Sequence, residues 1–234
     1  MGIHDGHRDR MKKQFLRNGA DAFNDHQLLE LFLFFGKPQG DVNPLAHMLI
    51  DHFGSLSAVF DAPPEELVKV KGVGEHVAVL IHLMPQLMRR YGLSRMDDTD
   101  IMANVSDLGD YFQPYFYGAR NEMAYLLSMD GKGKVLGCDR LSEGSLNVTA
   151  LDSRSVLEAA LRRRASCVVL AHNHTSGVAR PSREDVSATV QLERILQQID
   201  VILMDHLIIV DGDFVSLRQS KAKPWGWRDS FDEL

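Results

Sequence analysis

The stretch that decides the reading of this chain is Ala165-Ser166-Cys167-Val168-Val169-Leu170-Ala171-His172-Asn173-His174, followed after a seven-residue spacer by Ser182-Arg183-Glu184-Asp185. A short apolar run with β-branched residues, bounded by polar ones, reads as a buried strand. Side chains alternate along a strand, so His172 and His174 can leave its end on one face. A turn containing Gly177 and Pro181 follows, and Ser182 opens a segment of helical periodicity with Asp185 in its first turn. Two imidazoles and one carboxylate are the donor set of a catalytic zinc, which keeps its fourth position for water. Ser182-x-x-Asp185 is also a helix N-cap with an acid three residues on, a variant of the capping box. The capping and ligand roles are compatible, because one uses Ser182 and the other Asp185.

Working outward, a helix over 182–199 carries Val186, Thr189, Leu192, Ile195, Leu196 and Ile199 on one face. Two strands, 201–204 and 207–210, and a short one over 214–217 come after it. Asp205 and His206 lie between the two apolar runs, as a hydrogen-bonded structural pair or as support behind the metal ligands. Upstream, residues 122–129 and 134–141 read as strands joined by the turn Asp130-Gly131-Lys132-Gly133, and 153–163 as a helix. This alternation predicts an α/β domain with a mixed sheet flanked by helices.

Residues 8–91 read as helices punctuated by glycine. The first ends near Asn18-Gly19. A second carries Leu28, Leu29, Leu31, Phe32 and Phe35 up to Gly36 and Pro38. A third carries Leu45, Met48, Leu49 and Phe53 and closes at Gly54. Pro63-Pro64-Glu65-Glu66 opens another, since proline suits a first helical turn and acids suit its dipole. The expected organisation is an all-α domain over 1–95, an acidic linker over 96–107, the α/β domain over 108–220 and a polar, tryptophan-containing tail over 221–234.

Composition narrows the function classes. The net charge of −6 falls entirely in residues 96–234, with fifteen Lys/Arg against twenty-one Asp/Glu; residues 1–95 balance at eleven and eleven. Neither half has the basic excess of a tight nonspecific nucleic-acid binder. Cys138 and Cys167 sit in apolar, strand-like contexts without a pairing pattern, which suits a reducing cytoplasm. No apolar run reaches membrane-spanning length, and the N-terminus has no apolar signal core.

Hydrolysis at such a centre needs a group that takes and returns protons. Glu184 neighbours a ligand but points outward on the helix. Glu122, at a strand start, and Glu143, before Gly144, are both candidates, and spacing does not choose between them. Other zinc chemistries fit worse: there is no His-Glu-x-x-His helix, and the His-x-Glu with Pro-Cys-x-x-Cys of nucleobase deaminases is absent.

His172-Asn173-His174-Thr175-Ser176-Gly177, with Pro181-Ser182 and Asp185, resembles the metal motif of the RadC family, which belongs to the JAMM (MPN+) metallohydrolases. The similarity extends to Glu122, Met129-Asp130, Gly144-Ser145-Leu146-Asn147, Ser153-Arg154-Ser155-Val156, Asp205-His206-Leu207-Ile208-Ile209 and the N-terminal Arg8-x-Arg10-Met11, so it covers essentially the whole chain. The resemblance implies a JAMM/MPN+ domain, similar in architecture to cytidine deaminases, preceded by a small helix-hairpin-helix domain. It implies Zn2+ held by His172, His174 and Asp185, with Glu122 as general base and Ser182 stabilising an oxyanion or orienting water. Cleavage of an amide or isopeptide bond in a peptide or protein is the implied reaction. Thr175 departs from the family's usual proline, which frees one φ in the loop and changes no ligand.

Leu67-x-x-Val70-x-Gly72-Val73-Gly74-x-x-x-Ala78 resembles a helix-hairpin-helix element. Lys71, Gly72 and Gly74 are its candidate phosphate contacts, with Lys69 adding charge. Glu75 at the helix start competes for the same dipole end, so DNA binding here is expected to be weak, and a packing role stays open. A DNA-associated repair or recombination factor is the alternative function. Arg162-Arg163-Arg164, and Arg8, Arg10, Lys12 and Lys13, read as solvated helix ends before phosphate contacts.

Overall fold

The computed structural model describes residues 3–95, 102, 104–144, 153–210 and 212–220. Residues 97–100, 145–147 and the tail from 221, all used in the sequence reading, lie outside the described residues. The chain divides into two compact units, Met1–Leu87 and Met88–Leu234.

The first unit is helical. Helices α1 (Ile3–Asn18), α2 (Asp25–Gly36), α3 (Asn43–Phe53), α4 (Leu56–Asp61) and α5 (Pro64–Leu67) lead to α6 (Glu75–Ser94), within which the division falls. Local chemistry sets the boundaries. Asn24 and Gln27 form a reciprocal capping box at the start of α2, a device whose cap alone contributes about 1 kcal/mol. Gly54 ends α3 in the left-handed conformation, which glycine adopts without a Cβ penalty. Pro64 starts α5, as the Pro-Pro-Glu-Glu pattern predicts. The short α4 was not read from sequence; Ser55 caps it by accepting from the Ala58 amide at 3.1 Å. Leu29, Leu33, Leu45, Leu49, Val59, Leu67 and Ile81 fill the core between these helices.

The second unit is an α/β sandwich around one sheet. After α7 (Val105–Phe116) come β1 (Met123–Met129), β2 (Val135–Glu143), α8 (Ser153–Arg163), β3 (Cys167–Asn173), α9 (Arg183–Gln197), β4 (Ile202–Val210) and β5 (Asp213–Ser216). Strand order is β2-β1-β3-β4-β5. Among the described residues β3 and β4 alone pair in parallel; the other neighbours are antiparallel. The mixed sheet expected from the sequence is therefore present, and α9 supplies the crossover that a parallel pair needs.

Alternation sorts the strands onto two faces. Tyr125, Leu127, Val169, Ala171, Leu207 and Ile209 pack with α7 residues Leu108 and Phe112. Leu126, Val168, Leu170, Leu203 and Ile208 pack with Val156 and Ala160 of α8 and Leu192 and Leu196 of α9. Two expectations need correction. The linker drawn over 96–107 overlaps α7, whose cap is Asn104 in a reciprocal box with Asp107. And 201–204 and 207–210 are not two strands: β4 runs unbroken through Asp205 and His206. Both residues are fully buried, and their polar groups find partners inside the fold, so the polar pair does not interrupt the ladder.

Candidate metal centre

Strand β3 ends at Asn173, and His172 and His174 leave that end toward α9, whose first turn carries Asp185. His172 Nε2 lies 3.2 Å from Asp185 Oδ1, and His174 Nε2 lies 3.3 Å from Oδ2. One donor atom from each of the three residues falls within 4.8 Å of the others. His172 and Asp185 are buried and His174 is partly open, so the cluster has a dry side and an accessible one.

The helix cap aims the carboxylate. Ser182 Oγ accepts from the Asp185 amide at 3.0 Å, and Asp185 Oδ2 accepts from the Ser182 amide at 2.7 Å. The capping box read from the sequence is thus complete, and it fixes the rotamer that presents Asp185 to the histidines. The Ser182 oxygen spends a lone pair on the cap, so its hydroxyl proton remains available to a further acceptor. Burial alone would raise the Asp185 carboxyl, but His172, His174 and Ser182 outweigh it and hold the group well below the usual carboxylate range. His174 is raised in turn, chiefly by its hydrogen bond to Asp185 against the opposing effect of burial, with smaller contributions from the Val178 carbonyl and the Glu122 charge.

These residues fit a metal ion on the structure's own terms. Among the described residues, His172 Nε2 is buried without a hydrogen bond of good geometry, its polar neighbour being Asp185 Oδ1 at 3.2 Å. A buried polar atom left this way costs about 1–3 kcal/mol, which a bound cation relieves. His174 Nδ1 lies 3.3 Å from the Val178 carbonyl. A carbonyl only accepts, so Nδ1 carries a proton there, which leaves Nε2, 3.3 Å from Asp185 Oδ2, as the nitrogen that a metal would take. Two imidazole nitrogens and a carboxylate oxygen suit a borderline divalent ion.

The two candidate bases lie near one corner of the sheet. β1 pairs antiparallel with β3 with Ala124 opposite His172; Glu122, two residues before Ala124, is near enough to His174 for its charge to act on that ring, and Glu143 lies opposite Met123. Asn173, between the two histidines, holds this corner. Its Oδ1 accepts from the Met123 amide at 2.7 Å and its Nδ2 donates to the Asn121 carbonyl at 3.1 Å. One side chain therefore grips the backbone on both sides of Glu122, while the Glu122 carbonyl accepts from Gly144 at 3.1 Å. Glu143 ends β2 and is paired with Arg140 in a half-exposed ion pair.

Behind the ligands lies a polar chain that sequence reading anticipated only in outline. His172 Nδ1 is 2.8 Å from His206 Nε2, and His206 Nδ1 is 2.6 Å from Thr189 Oγ1. Thr189 Oγ1 is also 2.6 Å from the Asp185 carbonyl oxygen, one helical turn back. A register shift makes the contact possible. Between Val168 and Val169 the β4 partner jumps from Leu203 to Asp205, and the extra residue turns His206 onto the α9 face, as bulges beside functional sites do. Burial keeps His206 well below the ordinary imidazole range. Asp205 is held differently: Ser216 Oγ donates to it at 2.6 Å and the backbone amides of His206 and Arg218 at 2.7 and 3.1 Å.

Several of the remaining basic candidates have structural partners. Arg163 and Arg162 pair with Asp139 at 3.0 and 2.9 Å. Arg8 donates to the Pro38, Lys37 and Gly40 carbonyls at 2.7–2.9 Å and lies over the Phe34 ring, which ties down the loop between α2 and α3. In the hairpin, Lys69 pairs with Glu66 at 2.6 Å. Gly72 has a φ of +98°, a turn that disfavours any side chain. Gly74 starts the turn into α6, its carbonyl accepting from Ala78 at 3.0 Å, and Lys71 beside it is exposed.

Comparison with known proteins agrees with both units. Residues 102–222 match the model of the RadC-like JAB domain, and residues 6–79 match the UPF0758 N-terminal model. A UPF0758 protein of Rhodobacter capsulatus is 34% identical over 89% of this chain and 97% of its own length. Another from Ruegeria pomeroyi is 33% identical over 91% of this chain and 95% of its own. With both regions matched in order and these relatives aligned nearly end to end, the chain belongs to the UPF0758 family, and its C-terminal part is a RadC-like JAB domain.

Proposed function

We propose that this protein is a zinc-dependent hydrolase of the JAMM type that cleaves an amide or isopeptide bond in a peptide or protein, with Glu122 as general base. The observation that carries the reading is the convergence of His172, His174 and Asp185, with a buried imidazole nitrogen that lacks any other partner. When bound there, a zinc ion supplies Lewis acidity, activating a water molecule and polarising the scissile carbonyl.

The chain's own residues do the rest. Glu122, whose charge reaches His174 at the open side of the cluster, accepts a proton from the attacking water and returns it to the departing amine nitrogen, so the peptide bond breaks with no net proton gained or lost. Ser182 donates its hydroxyl proton to the oxygen on which negative charge develops. Asn173 holds Glu122 in register. Glu143, at the end of β2, is already engaged by Arg140.

The test combines metal analysis with turnover. Zinc-loaded protein is assayed against a panel of peptide-bonded and lysine-isopeptide-bonded substrates, beside Glu122→Gln. Cleavage by the wild type, lost in Glu122→Gln at unchanged zinc content, supports the reading. Zinc content below about a tenth of an equivalent under metal-replete conditions overturns it.

A further inference from the structure

We propose that His206 is a positioning residue: with Thr189 it fixes the tautomer of His172, so that His172 Nε2 presents a lone pair to the cluster formed with His174 and Asp185. The inference rests on the metal reading of that site and extends it to two residues that touch no ligand position themselves.

Counting protons along the chain gives the direction. A threonine hydroxyl has one proton. The Asp185 carbonyl can only accept, and it stands 2.6 Å from Thr189 Oγ1, so the hydroxyl proton lies there; this back-bond to the carbonyl four residues earlier is a common habit of helical threonine. Thr189 Oγ1 must then accept from His206, whose Nδ1 is 2.6 Å away. With its proton on Nδ1, neutral His206 offers a lone pair at Nε2, and His172 Nδ1 donates to it at 2.8 Å. The His172 proton is thereby placed on Nδ1, and Nε2 is left bare.

The reverse direction fails at Thr189. If Thr189 donated to His206, two oxygens would face each other at 2.6 Å without a proton between them, a fault that costs about 1–3 kcal/mol or more. His206 Nε2–H would then donate to His172 Nδ1 and force the His172 proton onto Nε2, toward Asp185 Oδ1 3.2 Å away, where it would occupy the lone pair that the cluster needs. All three side chains are essentially inaccessible, His172 at 1%, Thr189 at 0% and His206 at 0% exposure, so solvent does not supply an alternative partner. The bulge at Met204 is what directs His206 into this chain, and a histidine on a metal characteristically has its second nitrogen fixed in this way.

Two measurements test the proposal without a substrate. In the metal-free protein with 15N-labelled histidine, long-range 1H–15N spectra report the protonated nitrogen of each ring; His172 is expected to carry its proton on Nδ1. Zinc affinity is then measured by competition with a chromophoric chelator. Thr189→Val and His206→Leu are expected to bind zinc about 10–100-fold more weakly. Thr189→Ser, which keeps the hydroxyl, stays near wild type. A His172 proton on Nε2 overturns the proposal, as does a folded Thr189→Val protein with wild-type zinc affinity. Should His206→Leu fail to fold, the near-isosteric Thr189→Val and the tautomer spectrum still decide. A wild-type protein that binds no zinc contradicts the metal reading instead, and the spectrum of that protein still answers the question of the tautomer.

Discussion

Two buried carboxylates, Glu30 in the helical unit and Asp185 in the α/β unit, are treated differently. In the helical unit Glu30, 1% exposed, meets a donor at each oxygen: His7 Nε2 at 3.0 Å and Asn43 Nδ2 at 2.8 Å. In the α/β unit Asp185, 2% exposed, faces two imidazoles whose nitrogens gather around a common space, one of them buried without a hydrogen bond. The first is a closed network that joins α1 to α2 and α3. The second is an open constellation that folding alone does not satisfy. Burial of a charged group therefore says little by itself; a remaining unsatisfied donor set marks the functional site.

The sharpest way to break this comparison is at the proposed base. Glu122→Gln is expected to lower turnover by about 10²–10⁴-fold while zinc content, measured by elemental analysis, stays unchanged. Wild-type turnover in that variant would move the base elsewhere, with Glu143 next to be tested.

The two carboxylates should separate in zinc affinity. Asp185→Asn keeps an oxygen for the Ser182 amide but gives up the charge that His172 and His174 hold, so the metal-free protein should lose stability at neutral pH. Its zinc affinity should fall by more than the ~10–100-fold typical of outer partners. Glu30→Gln sets an amide donor against His7 or Asn43 in a buried place, costing about 1–3 kcal/mol in denaturant unfolding, with zinc affinity intact. If Glu30→Gln lowered zinc affinity as far as Asp185→Asn does, the contrast drawn here would be wrong.

Asn173→Ala should cost a similar ~1–3 kcal/mol, since it strands the buried Met123 amide; faster hydrogen exchange at that amide would locate the loss. The smallest effect belongs to the pair of Arg162 and Arg163 with Asp139. The Arg163 hydrogen bond chiefly holds the Asp139 carboxyl below its usual value, burial opposing and Arg162 assisting. A depressed carboxyl contributes stability above its unfolded value of about 3.9 and loses it as pH falls through the lower folded value. Asp139→Asn should therefore destabilise by about 1 kcal/mol at neutral pH, and the difference from wild type should vanish at strongly acid pH. A gap that persists there would point to packing instead of charge.

Some of this was legible in the sequence. His172, His174 and Asp185 lie within fourteen residues, so strand alternation and a helix cap suffice to bring them together. Glu122 and Glu143 were both candidate bases by position, and the choice of Glu122 came through the resemblance alone, because sequence spacing does not report which strand end lies beside the histidines. Asp205-His206 looked like a break between two strands; the partners that make it tolerable inside one strand are Thr189 on α9 and Ser216 on β5, invisible to local pattern. Helix α7 went unread because Gly109 and Pro114 resemble turn residues. Gly109 is there for closeness: a Cβ would stand 2.1 Å from the Phe214 ring. Its helical moment is supplied by Leu108, Tyr111 and Phe112, all buried against the sheet.

The most direct test of the central claim is a zinc titration of metal-free protein, wild type beside Asp185→Ala, read by elemental analysis after dialysis. The account predicts one tightly held zinc per chain in the wild type and under about a tenth of an equivalent in the variant. Equal zinc in both proteins, or none in the wild type, would contradict it.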